Sequence, residues 1–475
     1  MVTTLKGLKA AGVTNNNKIN ILACFDSVYP PAKTSFYVFD SRSTTSSGVE
    51  NDIFASIQSE TDIPDQNLFR VNTGQGIREF ICWGVEKYPA ENYFLILSGH
   101  GDAFRGKTLM YDENPLGGLT LKDLSGVLRD AKECLGVDKR FAVLGFDNCA
   151  MNLIEVGYEF KNVADYLVSS EGFIPKSGWE YESPLKYLIE NPNSGSEDIA
   201  KKFVEEFTNY QYDHTIGGRS VDLSLCKLET LRNAGDKEST NNIAKELNNL
   251  GKILYEIYKD VPPKTDEKFI QDFLMKIIIT SHWRAQTYFY EQTVDLFDFC
   301  YILGKECKDI NQIFNVLKIN SENIKSKENK EFNLFLALAN YIDSIFEACV
   351  KIGKTKESYV KKTSYAGPLF RFSQGVSLFF PWSRISFLTS RDIYKETKIY
   401  DEYPFWFHFI DQFTKASMRV KDESRLNDVS FEEGYSKTGG SFKTGGSFKD
   451  ELDILKNYFS SYKNQDIEWK VKDNK

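Results

Sequence analysis

Residues 94–101 read FLILSGHG and residues 141–149 read FAVLGFDNC. Each is a short apolar run that ends abruptly in a reactive side chain, His100 in the first and Cys149 in the second. Apolar runs of this length are typical of buried strands in a parallel sheet. Because open α/β sheets carry their chemistry just beyond the carboxyl ends of the strands, neighbouring strands would bring this imidazole and this thiol within reach of each other. A Cys–His nucleophile pair requires that arrangement.

Strands and helices alternate around the two runs. Further strands are predicted at residues 18–25 and 164–169, and further helices at residues 52–59, 76–87 and 152–160. Between the runs, Thr120 with Asp123 resembles an N-terminal capping arrangement for a helix that ends near Gly136. The alternation predicts an α/β fold with a mostly parallel sheet flanked by helices.

The pattern changes further along the chain. Apolar residues recur at helical spacing over residues 239–350, and PFWFHFIDQF at residues 404–413 predicts an aromatic helix docked on the core. The repeated TGGSFK of residues 438–449 predicts a linker, either a duplication without function or a tail that binds a partner. We expect four parts: a catalytic core at residues 1–235, a helical segment packed on it at 236–365, a return to the core with the strand 375–380 and the aromatic helix at 366–417, and a polar tail at 418–475.

The composition argues against several classes of protein. The 475 residues carry 59 Lys and Arg against 67 Asp and Glu, a net charge of -8 without a basic stripe, so no direct nucleic-acid partner is expected. No run has the length of a membrane span and no secretory signal is visible, so we expect a cytoplasmic location, or a secreted one if a leader has been removed. The eight cysteines are scattered without a CxxC pair, which predicts small core residues rather than a disulfide framework or a zinc site.

The two strand ends resemble the double signature of the caspase-like cysteine peptidases, in which one apolar strand precedes His-Gly and another precedes Asp-x-Cys. The details are most similar to the clostripain family. Four further blocks keep the order of that family: residues 164–171 (ADYLVSSE), 175–181 (PKSGWEY), 220–224 (SVDLS) and 375–381 (GVSLFFP). The resemblance implies a caspase-like fold and a cysteine endopeptidase that cuts after Arg or Lys.

The resemblance also implies a catalytic dyad. Cys149 would be the nucleophile, His100 would protonate the leaving amine, and the backbone N–H groups of Gly101 and Cys149 would bind the oxyanion. From the residues alone, a thiol with a pKa near ~8.5 needs an adjacent base or cation at neutral pH. The chain has three other histidines: His214, His282 and His408. Among the four, His100 is the one that ends an apolar strand between two glycines, and the alternative for Cys149 is a buried core cysteine.

Asp147 is the implied specificity residue, because the matching acid of the family binds Arg or Lys of the substrate. A second acid usually follows in a Pro-Gly-Asp-Gly-Trp-like block, but that block here is PKSGW, with Ser177 in the place of the acid. Ser177 and Trp179 are further substrate-binding candidates, and Glu171 or Glu180 would compensate for the missing carboxylate. The alternative for Asp147 is a strand-end carboxylate that caps local N–H groups.

The connection between the catalytic strands, residues 104–140, is the expected place of regulation. Its basic residues are Arg105, Lys107, Lys122, Arg129, Lys132, Lys139 and Arg140. The resemblance implies self-cleavage here, and the alternative is an ordinary solvated helix face. We expect residues 104–118 to form a mobile loop whose Arg105 and Lys107 block the pocket for basic residues, and the alternative is a fixed loop that frames the cleft. Cleavage would leave two fragments joined without disulfides, or a partner would displace the loop.

Three functions stay open at this point. The first is a cysteine endopeptidase acting on protein or peptide substrates after Arg or Lys. The second is an inactive interaction protein on the same fold. The third is a cytoplasmic peptidase of a bacterial stress or defence pathway, switched on by a regulatory partner and with a non-standard specificity. No cofactor or metal is expected, although calcium dependence, known in part of the family, stays undecided because the sequence has no EF-hand-like loop.

Overall fold

The computed structural model describes most of the chain between residues 74 and 426. The described residues are 4, 7–8, 18–27, 33–39, 74–106, 109–113, 116–211, 220–232, 242–259, 265–288, 292–321 and 330–426. The predicted helix at residues 52–59 and the TGGSFK repeat lie outside them.

The described elements alternate in type along the first half of the chain and are mainly helical in the second. The strands are β1 (Ile21–Ser27), β2 (Lys33–Phe39), β3 (Phe94–Ser98), β4 (Leu109–Glu113), β5 (Leu116–Leu119), β6 (Phe141–Asp147), β7 (Ala164–Ser169), β8 (Val221–Lys227), β9 (Thr287–Tyr288), β10 (Thr293–Asp295), β11 (Val360–Ala366) and β12 (Ser377–Phe379). The helices are α1 (Gln75–Lys87), α2 (Leu121–Lys132), α3 (Ile154–Phe160), α4 (Glu182–Glu190), α5 (Ser196–Gln211), α6 (Ile243–Tyr258), α7 (Thr265–Arg284), α8 (Leu296–Ser321), α9 (Lys330–Tyr359), α10 (Arg384–Tyr394), α11 (Lys398–Glu402) and α12 (Phe405–Leu426).

A five-stranded sheet in the order β11-β8-β7-β6-β3 forms the centre of the fold. β3, β6 and β7 pair in parallel, whereas β7 with β8 and β8 with β11 pair antiparallel. The predicted α/β fold with a helix-flanked sheet is confirmed, but the sheet is mixed rather than mostly parallel. The two parallel pairings have a helix in each connection, α2 between β3 and β6 and α3 between β6 and β7.

The cysteine strand β6 is buried along its whole length and faces two cores. Leu144 and Phe146 pack in the larger core, which also includes residues of α2, α3 and the later helices. Val143 packs on the opposite face with Phe203 of α5. This two-sided burial is why the run is continuously apolar rather than alternating. At the start of α2, the predicted capping box is confirmed: the Thr120 hydroxyl accepts a hydrogen bond from the Asp123 N–H at 3.1 Å.

The helical segment and the aromatic helix complete the larger core. The predicted helices are present as α6 to α9, and the predicted aromatic helix as α12, whose Trp406 Nε1 donates to the carbonyl oxygen of Phe379 at 2.9 Å. The predicted strand at residues 375–380 is present as β12, but it pairs with β10 in a small antiparallel sheet and not with the central one. Among the described residues, no helix is long and apolar enough to cross a membrane.

Three predictions need correction. β1 does not join the central sheet but pairs antiparallel with β2. Cys82 of α1 and Cys134, just after α2, form a disulfide with their Cα atoms 5.3 Å apart, so these two are not free core thiols. Within the expected mobile loop, the described residues 104–106, 109–113 and 116–118 are not open, because β4 pairs antiparallel with β5 and Phe104, 1% exposed, packs edge-on against Phe379.

Candidate active site

The strand register brings His100 and Cys149 to the same edge of the sheet. Ser98 of β3 pairs with Asp147 of β6 in parallel, so each reactive residue lies two positions beyond this pair. The Gly99 N–H donates to the carbonyl oxygen of Asp147 at 3.3 Å, which extends the pairing past the end of the strand. Because adjacent strands lie about 4.8 Å apart, the segments that follow β3 and β6 leave the sheet side by side.

Gly101 makes the contact between the two loops possible. A Cβ atom at this position would lie 2.6 Å from the Cys149 carbonyl oxygen and 3.0 Å from Met151 Cγ. Only a residue without a side chain lets the backbones approach so closely. The N–H groups of Gly101 and Cys149 donate no hydrogen bond to any acceptor in the part of the chain that the structure describes.

The Cys149 thiol is half-buried at the exit of β6. Its Sγ accepts a hydrogen bond from the Ile174 N–H at 3.2 Å. Burial raises the pKa of the thiol, the Ile174 N–H partly offsets this, and the negative charges of Asp147 and Asp102 add to the rise. The next residue, Ala150, has a φ of 51° and donates its N–H to the Gly172 carbonyl oxygen at 2.7 Å. The raised pKa favours the protonated form of the Cys149 thiol. The positive φ of Ala150 makes this strand exit strained, as is common at active sites.

His100 differs from the other described histidines in its exposure. Its side chain is exposed beside the end of β3. His282 is 2% exposed, its Nε2 lies 2.7 Å from the Phe380 carbonyl oxygen, and burial lowers its pKa to about 4. His408 lies on α12 against Tyr255, away from the strand ends, and His214 lies outside the described residues.

Asp147 is a buried carboxylate at the end of β6. It is 3% exposed and accepts three hydrogen bonds, from Ser98 Oγ at 3.2 Å, the Trp179 N–H at 3.1 Å and Tyr181 Oη at 3.0 Å. Burial raises its pKa, and these hydrogen bonds partly offset the rise. No Lys or Arg side chain in the described ranges forms an ion pair with it. The contact with Trp179 is a local N–H cap of the kind left open as an alternative, and about one acceptor position of the carboxylate remains unused.

The comparison with protein families agrees with this geometry. The model of the clostripain family matches residues 5–413. The chain belongs to the clostripain family. It is a cysteine protease of that family, and the expected family is confirmed. A search of curated proteins finds no match.

Two solved protease structures are similar to this chain. One is an inactive zymogen C11 protease from Parabacteroides distasonis, 14% identical, with a TM-score of 0.49 over 85% of this chain and 92% of that chain. The other is a secreted C11 cysteine protease from Bacteroides thetaiotaomicron in complex with an irreversible peptide inhibitor, also 14% identical, with a TM-score of 0.49 over 86% of this chain and 93% of that chain.

The remaining candidates for substrate binding in the protease differ in exposure. Ser177 is half-buried in the turn before Gly178, whose missing Cβ position lies 2.7 Å from Asp147 Oδ2. The indole of Trp179 is 4% exposed and packs against Tyr181 and Phe203. Trp179 therefore contributes its backbone N–H to the site and not its side chain.

Glu171 and Glu180, the two glutamates considered as replacements for the missing acid, both accept hydrogen bonds from other parts of the chain. Glu171 is fully buried and accepts the Gly375 N–H at 3.1 Å, and burial together with the charge of Asp295 raises its pKa well above the usual range. Glu180 accepts the Ser183 N–H at 3.1 Å at the start of α4. The expectation that one of them compensates for Ser177 is therefore not supported by their contacts.

Sequence blocks that are far apart in the chain meet behind Cys149. The carboxylate of Asp222 accepts the N–H groups of Glu171 and Gly172 at 2.7 and 2.9 Å. The Gly172 carbonyl in turn accepts the Ala150 N–H next to Cys149. The blocks at residues 164–171, 220–224 and 375–381 thus pack together beneath the loop that carries Cys149. Sequence reasoning missed the roles of Ser98 and Tyr181 at Asp147, although Ser98 shares its strand-end register.

The described contacts of Arg105 do not include Asp147. Arg105 pairs with Asp102 and donates from Nη1 to Gln292 Oε1 at 2.6 Å. Its contacts therefore tie the loop after His100 to the segment before β10, and the expected blocking role of Arg105 is wrong. Lys107 lies outside the described residues.

Proposed function

We propose that this protease is an endopeptidase in which Cys149 attacks the scissile carbonyl carbon while His100 takes the thiol proton. The thioester forms as the C–N bond breaks, and His100 gives its proton to the leaving amine. Water then attacks the thioester with His100 as base, which restores the thiol. The need for a base follows from the raised pKa of the half-buried Cys149.

The observation that carries this proposal is the apposition of Gly101 and Cys149. The missing Cβ position of Gly101 lies 2.6 Å from the Cys149 carbonyl oxygen, and both N–H groups lack an acceptor in the described part of the chain. Two such donors beside a nucleophile are what a tetrahedral oxyanion needs, and each is worth about 3 kcal/mol of transition-state stabilisation.

A preference for Arg or Lys before the cleaved bond is the second part of the proposal. Asp147 is a desolvated carboxylate two residues from the nucleophile, and a substrate cation would relieve the cost of its burial. Ser177 would add a hydroxyl acceptor beside it. A pocket with one carboxylate instead of two holds a guanidinium less strongly, so Ser177→Asp should strengthen the preference.

Regulation by self-cleavage or by a partner stays part of the proposal. Lys122 and Arg129 are exposed on α2 within the connection, which fits the solvated helix face as well as a cleavage site.

A cytoplasmic location also stays a prediction. The Cys82–Cys134 disulfide supports the alternative of a secreted protein, because disulfides persist mainly in oxidising compartments.

The proposed reaction uses no cofactor, since the nucleophile, the base and the oxyanion donors all come from the chain. Activity that persists in EDTA would support this part, and loss of activity restored by calcium would contradict it.

The test is cleavage of reporter peptides by the purified chain and by matched variants. Cys149→Ala and His100→Ala should each abolish turnover, with losses that are not additive. Cys226→Ala and His282→Ala replace buried residues of the same types and should lower the melting temperature while keeping activity. Turnover of Arg and Lys reporters by the chain alone supports the endopeptidase, turnover only with an added partner supports the switched enzyme, and turnover unaffected by Cys149→Ala refutes both.

A further inference from the structure

We propose that Asn148 is a positioning residue that holds His100 at its working distance from Cys149. The proposal rests on the dyad proposed above. Asn148 lies between Asp147 and the nucleophile, and the sequence alone shows it only as a polar neighbour of the two.

The first observation is a hydrogen bond from one catalytic loop to the other. Asn148 is 2% exposed, and its Nδ2 donates to the His100 carbonyl oxygen at 2.8 Å. A carbonyl can only accept, so this contact fixes which end of the amide is the nitrogen.

The same side chain lies along the residues that flank the histidine. The missing Cβ position of Gly99 is 3.7 Å from Asn148 Nδ2, and that of Gly101 is 2.7 Å from Asn148 Cβ. The last main-chain hydrogen bond of this strand pair is the one from the Gly99 N–H to the Asp147 carbonyl oxygen. Beyond it, the amide of Asn148 is the described link that holds the His100 backbone to the nucleophile strand.

The amide also carries a cost that stability alone does not explain. Its Oδ1 is buried without a hydrogen-bond partner in the described part of the protein. An unsatisfied buried oxygen destabilises the fold, and a smaller apolar residue would avoid that penalty. The retained benefit is the Nδ2 contact with His100, since small errors in the placement of a catalytic group cost about 100-fold in rate.

Asn152 offers a matched control. It is also a buried asparagine, and its Nδ2 donates to the Gly375 carbonyl oxygen at 2.7 Å, a contact of the same kind that does not involve the His100 loop. Asn152→Ala should lower the melting temperature more than Asn148→Ala, because Asn152 Oδ1 also accepts from Cys226 Sγ at 3.7 Å, whereas Asn148 Oδ1 has no partner among the described groups. Only Asn148→Ala should lower kcat, by about 10- to 100-fold, with KM changed less than about threefold.

Asn148→Asp keeps the shape of the side chain and tests the donor directly. An ionised carboxylate repels the His100 carbonyl, whereas a protonated one donates to it as the amide does. The ratio of kcat for this variant to kcat for the wild type should therefore rise as the pH is lowered, and KM should stay nearly constant. A side chain that only fills space would give a ratio independent of pH.

A second measurement keeps the two proposals separate. The pH dependence of Cys149 alkylation by iodoacetamide reports the coupling of the thiol to His100 without any turnover. His100→Ala and Asn148→Ala should displace the wild-type profile in the same direction, and Asn152→Ala should leave it in place.

A wild-type chain without Cys149-dependent turnover refutes the proposed function, and the alkylation profiles then still decide the role of Asn148. If Asn148→Ala does not fold, the isosteric Asp variant decides in both assays. The inference is overturned if the Asn148 variants keep the wild-type kcat and alkylation profile, or if Asn152→Ala impairs both equally.

Discussion

Asp147→Asn is the substitution that tests the proposed specificity pocket most directly. It removes the charge and keeps the shape, and its amide oxygen can still accept the Trp179 N–H. The hydroxyls of Ser98 and Tyr181 can rotate to accept from the new NH₂ group. Asp147→Ala is less informative, because it gives up three hydrogen bonds worth about 1 kcal/mol each and would lower the stability as well.

The expected loss follows from the environment of the carboxylate. Removing one partner of a desolvated charge pair costs about 2–5 kcal/mol. Three of its roughly four acceptor positions are already occupied, which favours the lower end of that range. A cost of about 2–3 kcal/mol corresponds to about a 30- to 150-fold loss in kcat/KM for a substrate with Arg before the cleaved bond.

The assay compares two peptides that differ only in Arg or citrulline before the cleaved bond, since citrulline has nearly the same shape without the charge. The wild type should prefer Arg, and Asp147→Asn should lose that preference while its kcat/KM for citrulline stays within about threefold. The negative charge of Asp147 raises the pKa of Cys149, so the variant should also be alkylated at lower pH than the wild type. Parallel losses for both peptides, or an undiminished preference for Arg, would refute the assignment of Asp147 as the cation site.

Two further predictions concern the disulfide and the pH dependence of stability. Because Cys82 and Cys134 span most of the connection between the catalytic strands, a cut at residues 104–118 should leave two fragments that stay joined on a non-reducing gel and separate on a reducing one. If the fragments separate without reductant although neither Cys82 nor Cys134 is a free thiol, the two cysteines are not paired with each other. Burial raises the pKa of Glu155 from 4.5 to about 7, so the folded state holds this proton more tightly than the unfolded state, and the free energy of unfolding should fall as the pH rises between these values. Glu155→Gln should reduce the accompanying drop in melting temperature between pH 5 and pH 8, and an unchanged drop would rule out Glu155 as its source.

The sequence was most informative where local pattern and chemistry agree. The apolar runs before His100 and Cys149 predicted two buried neighbouring strands, and both are present with the reactive residues at matching positions. The capping box at Thr120 was equally readable, because it depends on residues three positions apart. The close packing of Gly101 against the Cys149 carbonyl oxygen was not predicted, because it depends on the register of two strands that are distant in sequence.

Features that depend on distant residues were not readable in this way. Arg105 looked like a free basic residue until the contacts with Asp102 and Gln292 were seen, and Gln292 lies in a different part of the chain. The disulfide likewise joins residues 52 positions apart without a spacing motif. Glu171 looked available to a substrate, although the fold buries it completely.

The family could be inferred from the sequence through the resemblance of two strand-end motifs and four ordered blocks. The short apolar runs indicated the α/β character, and the residues that end them made His100 and Cys149 the candidates for the dyad. Tertiary structure alone decided the mixed direction of the sheet, the partners of Asp147, the Cys82–Cys134 pairing and the contact of Asn148 with His100. These depend on which surfaces meet after folding. The local sequence around a side chain does not identify its distant partner, because the packing of the whole core determines which residues come into contact.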